Sequence, residues 1–269
     1  MIPQAQTQTQ AQTQTQTQTR SIWLRQALNI CMAGLIISPL ASIAKPQYGY
    51  SGNVGPEQWG KLSPEYAKCS DGSEQAPVNI VSAASKVIAN PLRLVTAYGP
   101  TKGDTVVNTG TTIQVNTEGK LQIGSTQYKL LQYHFHTPSE EAINGVHYAM
   151  NVHLVHQDAA GKLAVIGVNF TEGSPNSFIS ELWKQLPSSK GQNTISSLPS
   201  LEKVLPSKLD YYSFKGSLTT PPCSEGVSFY ILKQPVTISP AQLAAFRKLY
   251  PMNARPLQPL NERVIQSSN

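Results

Sequence analysis

From about residue 90 onward the chain falls into short apolar or alternating runs separated by turn residues, a punctuation that few folds can use. The runs are Leu92–Ala97, Thr105–Asn108, Thr111–Asn116, Leu121–Ile123, Tyr128–His136, Tyr148–His156, Leu163–Phe170, Tyr211–Phe214 and Val227–Leu232. Each is too short for a stable helix and is bounded by Gly, Pro, Asn or Ser, so each reads as a strand. Only two segments carry helical signals. Ser177–Lys184 places Phe178, Ile179, Leu182 and Trp183 on one face, and Gln242–Tyr250 follows Ser239-Pro240-Ala241, with Ser as N-cap and Pro at the first helical position. Between Lys45 and Asn269 no Gly/Ser linker or charge run divides the chain, and no internal repeat appears. The expectation is one mainly β (α+β) domain over residues 45–269 with short peripheral helices. The 20 prolines and 18 glycines agree with a turn-rich chain.

Residues 1–44 differ in kind. Gln4–Thr19 alternates Gln with Thr or Ala, a period-2 pattern with no apolar face to bury. Arg20 and Arg25 then precede an apolar stretch, Ala27–Leu40, and small residues at Ser42 and Ala44. A positive n-region, a short h-region and small residues at −3 and −1 describe a secretory signal peptide cleaved after Ala44. The apolar stretch is shorter than the roughly 20 residues that span a bilayer, so no stable membrane anchor is expected after cleavage. The expected destination is periplasmic, lumenal or extracellular.

Charge needs the same division. The whole chain carries 21 Lys+Arg against 15 Asp+Glu, or +6. Removing residues 1–44, which contain Arg20 and Arg25 and no acid, leaves 19 against 15, or +4. These basic residues are scattered singly, without the clusters and interleaved aromatics of a nucleic-acid surface, and no nucleic-acid partner is expected. Export would also remove Cys31, leaving Cys69 and Cys223. An even count in an exported chain, without C-x-x-C spacing, points to one disulfide. Closing so long a loop would constrain the unfolded chain by roughly 5 kcal/mol.

The five histidines are His134, His136, His147, His153 and His156. His134 and His136 flank Phe135 in a strand-like run, so both imidazoles project from one face. His153 lies in a second such run, and the intervening Asn144-Gly145 suits a hairpin turn. Pairing the two runs would gather three imidazoles at one point. Three His with a vacant position is catalytic zinc geometry, whereas structural zinc is usually closed by four ligands. An isolated His-x-His pair more often means two half-exposed strand histidines; the third histidine only balances the two readings, and spacing leaves the choice open. A zinc peptidase would want His-Glu-x-x-His on a helix, which the chain lacks.

Motifs across residues 48–263 decide the matter. Tyr48-Gly-Tyr50, Gly55-Pro-Glu-Gln-Trp59, Gln75-Ala-Pro77-Val-Asn-Ile80, Gln132-Tyr-His134-Phe-His136-Thr-Pro-Ser-Glu140 and Val152-His153-Leu-Val155-His156 occur in order. Gly216-Ser-Leu218-Thr219-Thr220-Pro-Pro222 and Asn253-Ala-Arg255-Pro256-Leu257 follow. In this set and order the chain resembles the α-class carbonic anhydrases. The resemblance implies a large twisted, mostly antiparallel central sheet and cis peptides before Pro77 and Pro222. It implies Zn2+ held by His134, His136 and His153, and reversible hydration of carbon dioxide to bicarbonate and a proton by zinc-bound hydroxide. Thr219 would accept a hydrogen bond from that hydroxide and donate its own proton to Glu140. Val155, Val165, Leu218, Val227 and Phe229 would form the apolar substrate wall, with Thr220 beside it. A non-catalytic, binding member of the same family is the alternative, and the intact ligand set argues against it.

The chain departs from the family pattern at several positions. The usual proton-shuttle histidine is Thr111, which cannot titrate near neutrality, so proton export would depend on buffer. The glutamate that normally holds the third ligand is Asn151, and the histidine that commonly follows Glu140 is Glu141. Behind the ligands, Gln132, Asn151 and Glu141 are therefore the residues to watch. The expectation is that the Asn151 carbonyl accepts from the His153 ring while its amide donates to Glu141, leaving His153 a weaker ligand. Phe214 stands where many relatives carry tyrosine.

Overall fold

A computed structural model describes residues 47–268; the Gln/Thr leader, the expected signal peptide with its cleavage point, and Cys31 lie outside them. The strands that carry the site are, in chain order, β1 (Thr105–Asn108), β2 (Ile113–Asn116), β3 (Thr126–His136), β4 (Met150–Asp158), β5 (Leu163–Glu172), β6 (Tyr211–Ser217) and β7 (Glu225–Leu232). They belong to a 13-stranded sheet whose main path runs from Gly191–Thr194 through β1, β2, β3, β4, β5, β7 and β6 to two short strands, Gln266–Ser267 and Lys86–Val87. Along that path β1 to β5 are antiparallel neighbours, and β7 joins β5 in parallel.

Alternation along the strands sorts side chains between two faces. On β3, His134 and His136 face one way and Phe135 the other. Phe135 meets Trp183 and Phe246 with ring centroids 5.1 and 6.1 Å away. These belong to helices α1 (Ser177–Trp183) and α2 (Pro240–Leu249), which cover that face over Val152, Leu154, Ile166 and Val168. Helix α2 starts where the Ser-Pro signal puts it. Ser239 Oγ accepts from the Gln242 N–H at 3.2 Å and Gln242 Oε1 accepts from the Ser239 N–H at 3.1 Å, a reciprocal cap. Gln242 also donates to Asn176 O and Ser180 Oγ, tying the two helices together.

Two sequence expectations are redrawn. The run from Thr111 becomes strand only at Ile113, because the Thr109 hydroxyl accepts the N–H groups of Thr111 and Thr112 at 3.2 and 3.0 Å and folds a turn instead. Asn144 and Gly145 do form a hairpin turn, both with positive φ (53° and 80°), but its arms are the two-residue strands Ala142–Ile143 and Val146–His147. It is a satellite inserted between β3 and β4, which still pair directly.

Cis peptides precede Pro77 and Pro222, and a third precedes Pro138. Cys69 and Cys223 are disulfide-bonded across 154 residues of sequence. Among the described residues no helix is long and apolar enough to cross a membrane.

Candidate metal centre

Register places the three imidazoles. His153 on β4 sits directly opposite His134 on β3, and Asn151 opposite His136. The rings lie 4.9 to 5.6 Å apart by centroid. One nitrogen from each comes within 4.8 Å of the others, the one such group of metal-binding side chains among the described residues.

The second nitrogen of each ring is committed elsewhere, which selects the tautomer. His134 Nδ1 donates to Gln132 Oε1 at 2.8 Å and His136 Nδ1 to the Asn253 carbonyl at 2.9 Å. His153 Nε2 donates to Glu141 Oε2 at 3.1 Å. A carbonyl or carboxylate can only accept, so in each ring that nitrogen carries the proton. The lone pairs left over belong to Nε2 of His134 and His136 and Nδ1 of His153. His136 Nε2 is buried without a hydrogen bond, a deficit whose cost a metal would remove. Burial pushes the His134 ring down to about 3, with His153 nearby adding to the effect, and it holds His136 well below its ordinary value. Both are neutral at physiological pH, as ligands must be. Three converging imidazoles, with both cysteines of the domain locked in a disulfide, fit zinc with a vacant coordination position.

Glu140 closes one side. Its Oε2 lies 3.4 Å from His136 Nε2 and 3.7 Å from His153 Nδ1, the two metal-facing nitrogens. Its Oε1 accepts the Arg255 N–H at 3.0 Å, and the Thr219 side chain is close enough to favour the charged form of the carboxyl. Burial raises the Glu140 carboxyl to about 7; neighbouring Glu141 adds to the rise, and His153, the Arg255 N–H and Thr219 oppose it. Arg255 is itself buried, donating to Gln75 Oε1, the Ala76 carbonyl and the Cys69 carbonyl, so the disulfide region braces the same carboxylate.

Glu141 closes the other side, and here the arrangement differs from the sequence expectation. The Asn151 carbonyl does not receive the His153 proton; its oxygen is buried without a partner. The Asn151 amide donates to Glu141 Oε2 at 2.9 Å, and its nitrogen lies 3.0 Å from His153 Nε2. Two N–H donors thus converge on one carboxylate oxygen. Turning the amide over would set its carbonyl against that oxygen, so the carboxylate dictates which way Asn151 points. Burial lowers the His153 ring, but the charge and hydrogen bond of Glu141, aided by Glu140, outweigh it and hold the ring above its ordinary value. The support of this ligand is anionic, not neutral as expected.

Val155, Val165, Val227 and Phe229 form one buried apolar cluster with Leu218 against it, and the Phe229 ring centroid is 6.0 Å from that of His153. Phe214 lies in this cluster too, stacked on Phe229. The Thr220 carbonyl accepts the Cys223 N–H at 2.9 Å, joining the Thr219 loop to the disulfide. Thr111 lies in the β1–β2 turn, its hydroxyl 3.1 Å from that of Thr109. The other two histidines stand apart from the group. His147 Nδ1 donates to the Ser139 carbonyl, and His156 faces the opposite side of β4, bonded to the Tyr98 hydroxyl.

Two contributors escape sequence reasoning. Asn253 presents its carbonyl to His136 while its side chain accepts from the Thr137 N–H and donates to the Thr111 and Phe135 carbonyls. Gly167 faces His153 across β4 and β5; a Cβ there would fall 2.5 Å from Ile231 Cδ1 and 3.6 Å from His153 Cδ2, so the bare backbone leaves Ile231 its place beside the ring. A lone glycine inside an apolar strand run was the available signal.

This fold and this centre define a class: a twisted, mostly antiparallel sheet that brings together three imidazoles able to hold one metal ion. The chain belongs to the eukaryotic-type carbonic anhydrase family, whose sequence profile matches residues 54–269. A carbonic anhydrase of Klebsiella pneumoniae is 41% identical over 240 residues, 87% of this chain and 96% of the relative. One from Nostoc sp. is 37% identical over 244 residues, 88% of this chain and 92% of the relative. Among solved structures, the α-carbonic anhydrase of Thermovibrio ammonificans in complex with the inhibitor sulfanilamide is 41% identical. It superposes with a TM-score of 0.78, covering 83% of this chain and all of that one.

Proposed function

We propose that this chain catalyses the zinc-dependent, reversible hydration of carbon dioxide to bicarbonate and a proton, as an exported enzyme. The observation that carries the reading is the set of three converging imidazole nitrogens, each with its opposite ring nitrogen committed to an acceptor, beside the buried carboxylate of Glu140. Zinc held by His134, His136 and His153 would supply a water activated near neutral pH, an effect for which carbonic anhydrase is itself the reference system.

The chain's own residues supply the rest. Glu140, fixed by the Arg255 N–H, takes the Thr219 hydroxyl proton as a hydrogen bond. The Thr219 oxygen is then left as an acceptor, so it favours a nucleophile that still bears a proton and orients the lone pair of that nucleophile. Val155, Val165, Leu218 and Val227 offer an uncharged substrate an apolar seat and give a charged product little to hold it. Thr220 borders that seat from the same loop as Thr219. Thr111 has no proton to exchange near pH 7, so the product proton leaves through water to buffer. A non-catalytic role would tolerate loss of Thr219 or Glu140; both are present, and the Thr219 side chain favours the charged form of the Glu140 carboxyl.

The disulfide fits export, and so does the signal-like segment ending at Ala44. Carbon dioxide and bicarbonate are the partners this reading requires, with no nucleic acid and no membrane anchor once the signal is removed. The test is direct. Hydration measured on the zinc-loaded chain should vanish when a chelator strips the metal and return in proportion to zinc added back. Background hydration by protein shown to hold one zinc per chain would remove the proposal.

A further inference from the structure

Consecutive residues Glu140 and Glu141 reach opposite nitrogens of one imidazole. Glu140 Oε2 lies 3.7 Å from His153 Nδ1, and Glu141 Oε2 lies 3.1 Å from His153 Nε2. Both side chains are fully buried. The two side chains leave a bend between β3 and the Ala142–Ile143 strand and reach the ring from two directions. That segment is firmly held. The Ser139 N–H donates to the Tyr148 carbonyl at 3.0 Å, and the Tyr148 N–H donates back to Ser139 Oγ at 2.8 Å. Ser139 Oγ in turn donates to the Glu141 carbonyl at 2.8 Å, and His147 Nδ1 donates to the Ser139 carbonyl at 2.7 Å.

Asn151 occupies the strand position two residues before His153, on the same face of β4, and its amide is spent on Glu141. We propose that Glu141 is the positioning residue for the third ligand, anchored by Asn151, so that the carboxylate behind His153 comes from the loop and not from the strand. This rests on the reading that His134, His136 and His153 hold zinc. It follows that positions 141 and 151 form a donor–acceptor pair whose roles are exchangeable. A carboxylate at 151 with an amide at 141 would present the same acceptor to His153 Nε2 from the other side.

The test compares zinc transfer from the loaded protein to a chromophoric chelator in wild type, Glu141→Gln, Asn151→Glu and the double swap Glu141→Asn/Asn151→Glu, with thermal midpoints recorded for each. Glu141→Gln should release zinc on the order of 10–100-fold faster. Asn151→Glu should also release it faster, because it brings a second carboxylate against Glu141. The double swap should return release most of the way to the wild-type rate, which a packing role for Glu141 would not do. Release from Glu141→Gln at the wild-type rate overturns the assignment. So does a folded double swap that loses zinc as fast as Glu141→Gln. Wild-type protein that takes up no zinc overturns the metal reading itself, a failure visible before any variant is compared.

Discussion

The two histidines of β3 and the one of β4 reach the same point in space, yet they are held by different chemistry. His134 and His136 give their second protons to neutral acceptors, an amide side chain and a backbone carbonyl, whereas His153 gives its proton to a buried carboxylate. The consequence is electrostatic. Burial drives His134 and His136 far below the ordinary histidine value, while burial of His153 is overcome by Glu141 and the ring is held above it. The β3 pair is therefore kept neutral by desolvation, and the β4 ring is made more basic by an anion. A centre built this way should be most sensitive to losing a ring, less to losing the polar network in front of the rings, and least to losing a neutral support behind them.

The largest effect is expected from His136→Ala. Deleting one of three ligands should leave the protein unable to retain zinc through gel filtration and should reduce hydration to background, while the fold survives by circular dichroism. Next is Thr219→Val, which keeps the shape and removes the hydroxyl proposed to donate to Glu140. Hydration should fall about 10²-fold in kcat/KM with zinc content unchanged, so metal analysis separates the two variants. Gln132→Ala removes a neutral acceptor from His134 and should speed zinc release by about tenfold, at the low end for such supports and below the effect of Glu141→Gln. If Gln132→Ala proved the more damaging, the contrast between β3 and β4 would be wrong.

The smallest effect is a pH dependence of the metal-free protein. Burial raises the folded Glu140 carboxyl to about 7, above its unfolded value, so the folded state binds that proton more tightly. The stabilisation is fully present below about pH 4.5 and is lost as pH rises through 7. Metal-free Glu140→Gln, which cannot ionise, should therefore gain in thermal midpoint on wild type between pH 5 and 8. A gap that stays constant over that range would contradict the burial argument.

Sequence carried some of this centre and not the rest, for physical reasons that differ residue by residue. The strand period of two placed His134 and His136 on one face with Phe135 behind, and that alternation survives in the structure because Phe135 has two helices to pack against. Asn144-Gly145 was readable as a turn, but the positive-φ preference says nothing about how long the flanking arms are, and they proved to be two residues each. Motif order pointed to Thr219 and Glu140. Asn253 could not be read as a support, because it acts on His136 through its carbonyl, a group every residue has, across 117 positions of sequence. Glu141 and Asn151 were legible as departures from the family pattern, but the direction of their hydrogen bonds depends on which of two amide atoms meets a carboxylate. Alternation alone does not encode that.

The central claim is that this centre turns over carbon dioxide and that its proton leaves without a histidine relay at position 111. Stopped-flow hydration by zinc-quantified protein, followed across increasing imidazole at fixed pH and ionic strength, tests both parts together. The account predicts a rate that climbs with imidazole and then saturates. A rate that stays at background at every imidazole concentration, in protein holding one zinc per chain, would contradict it.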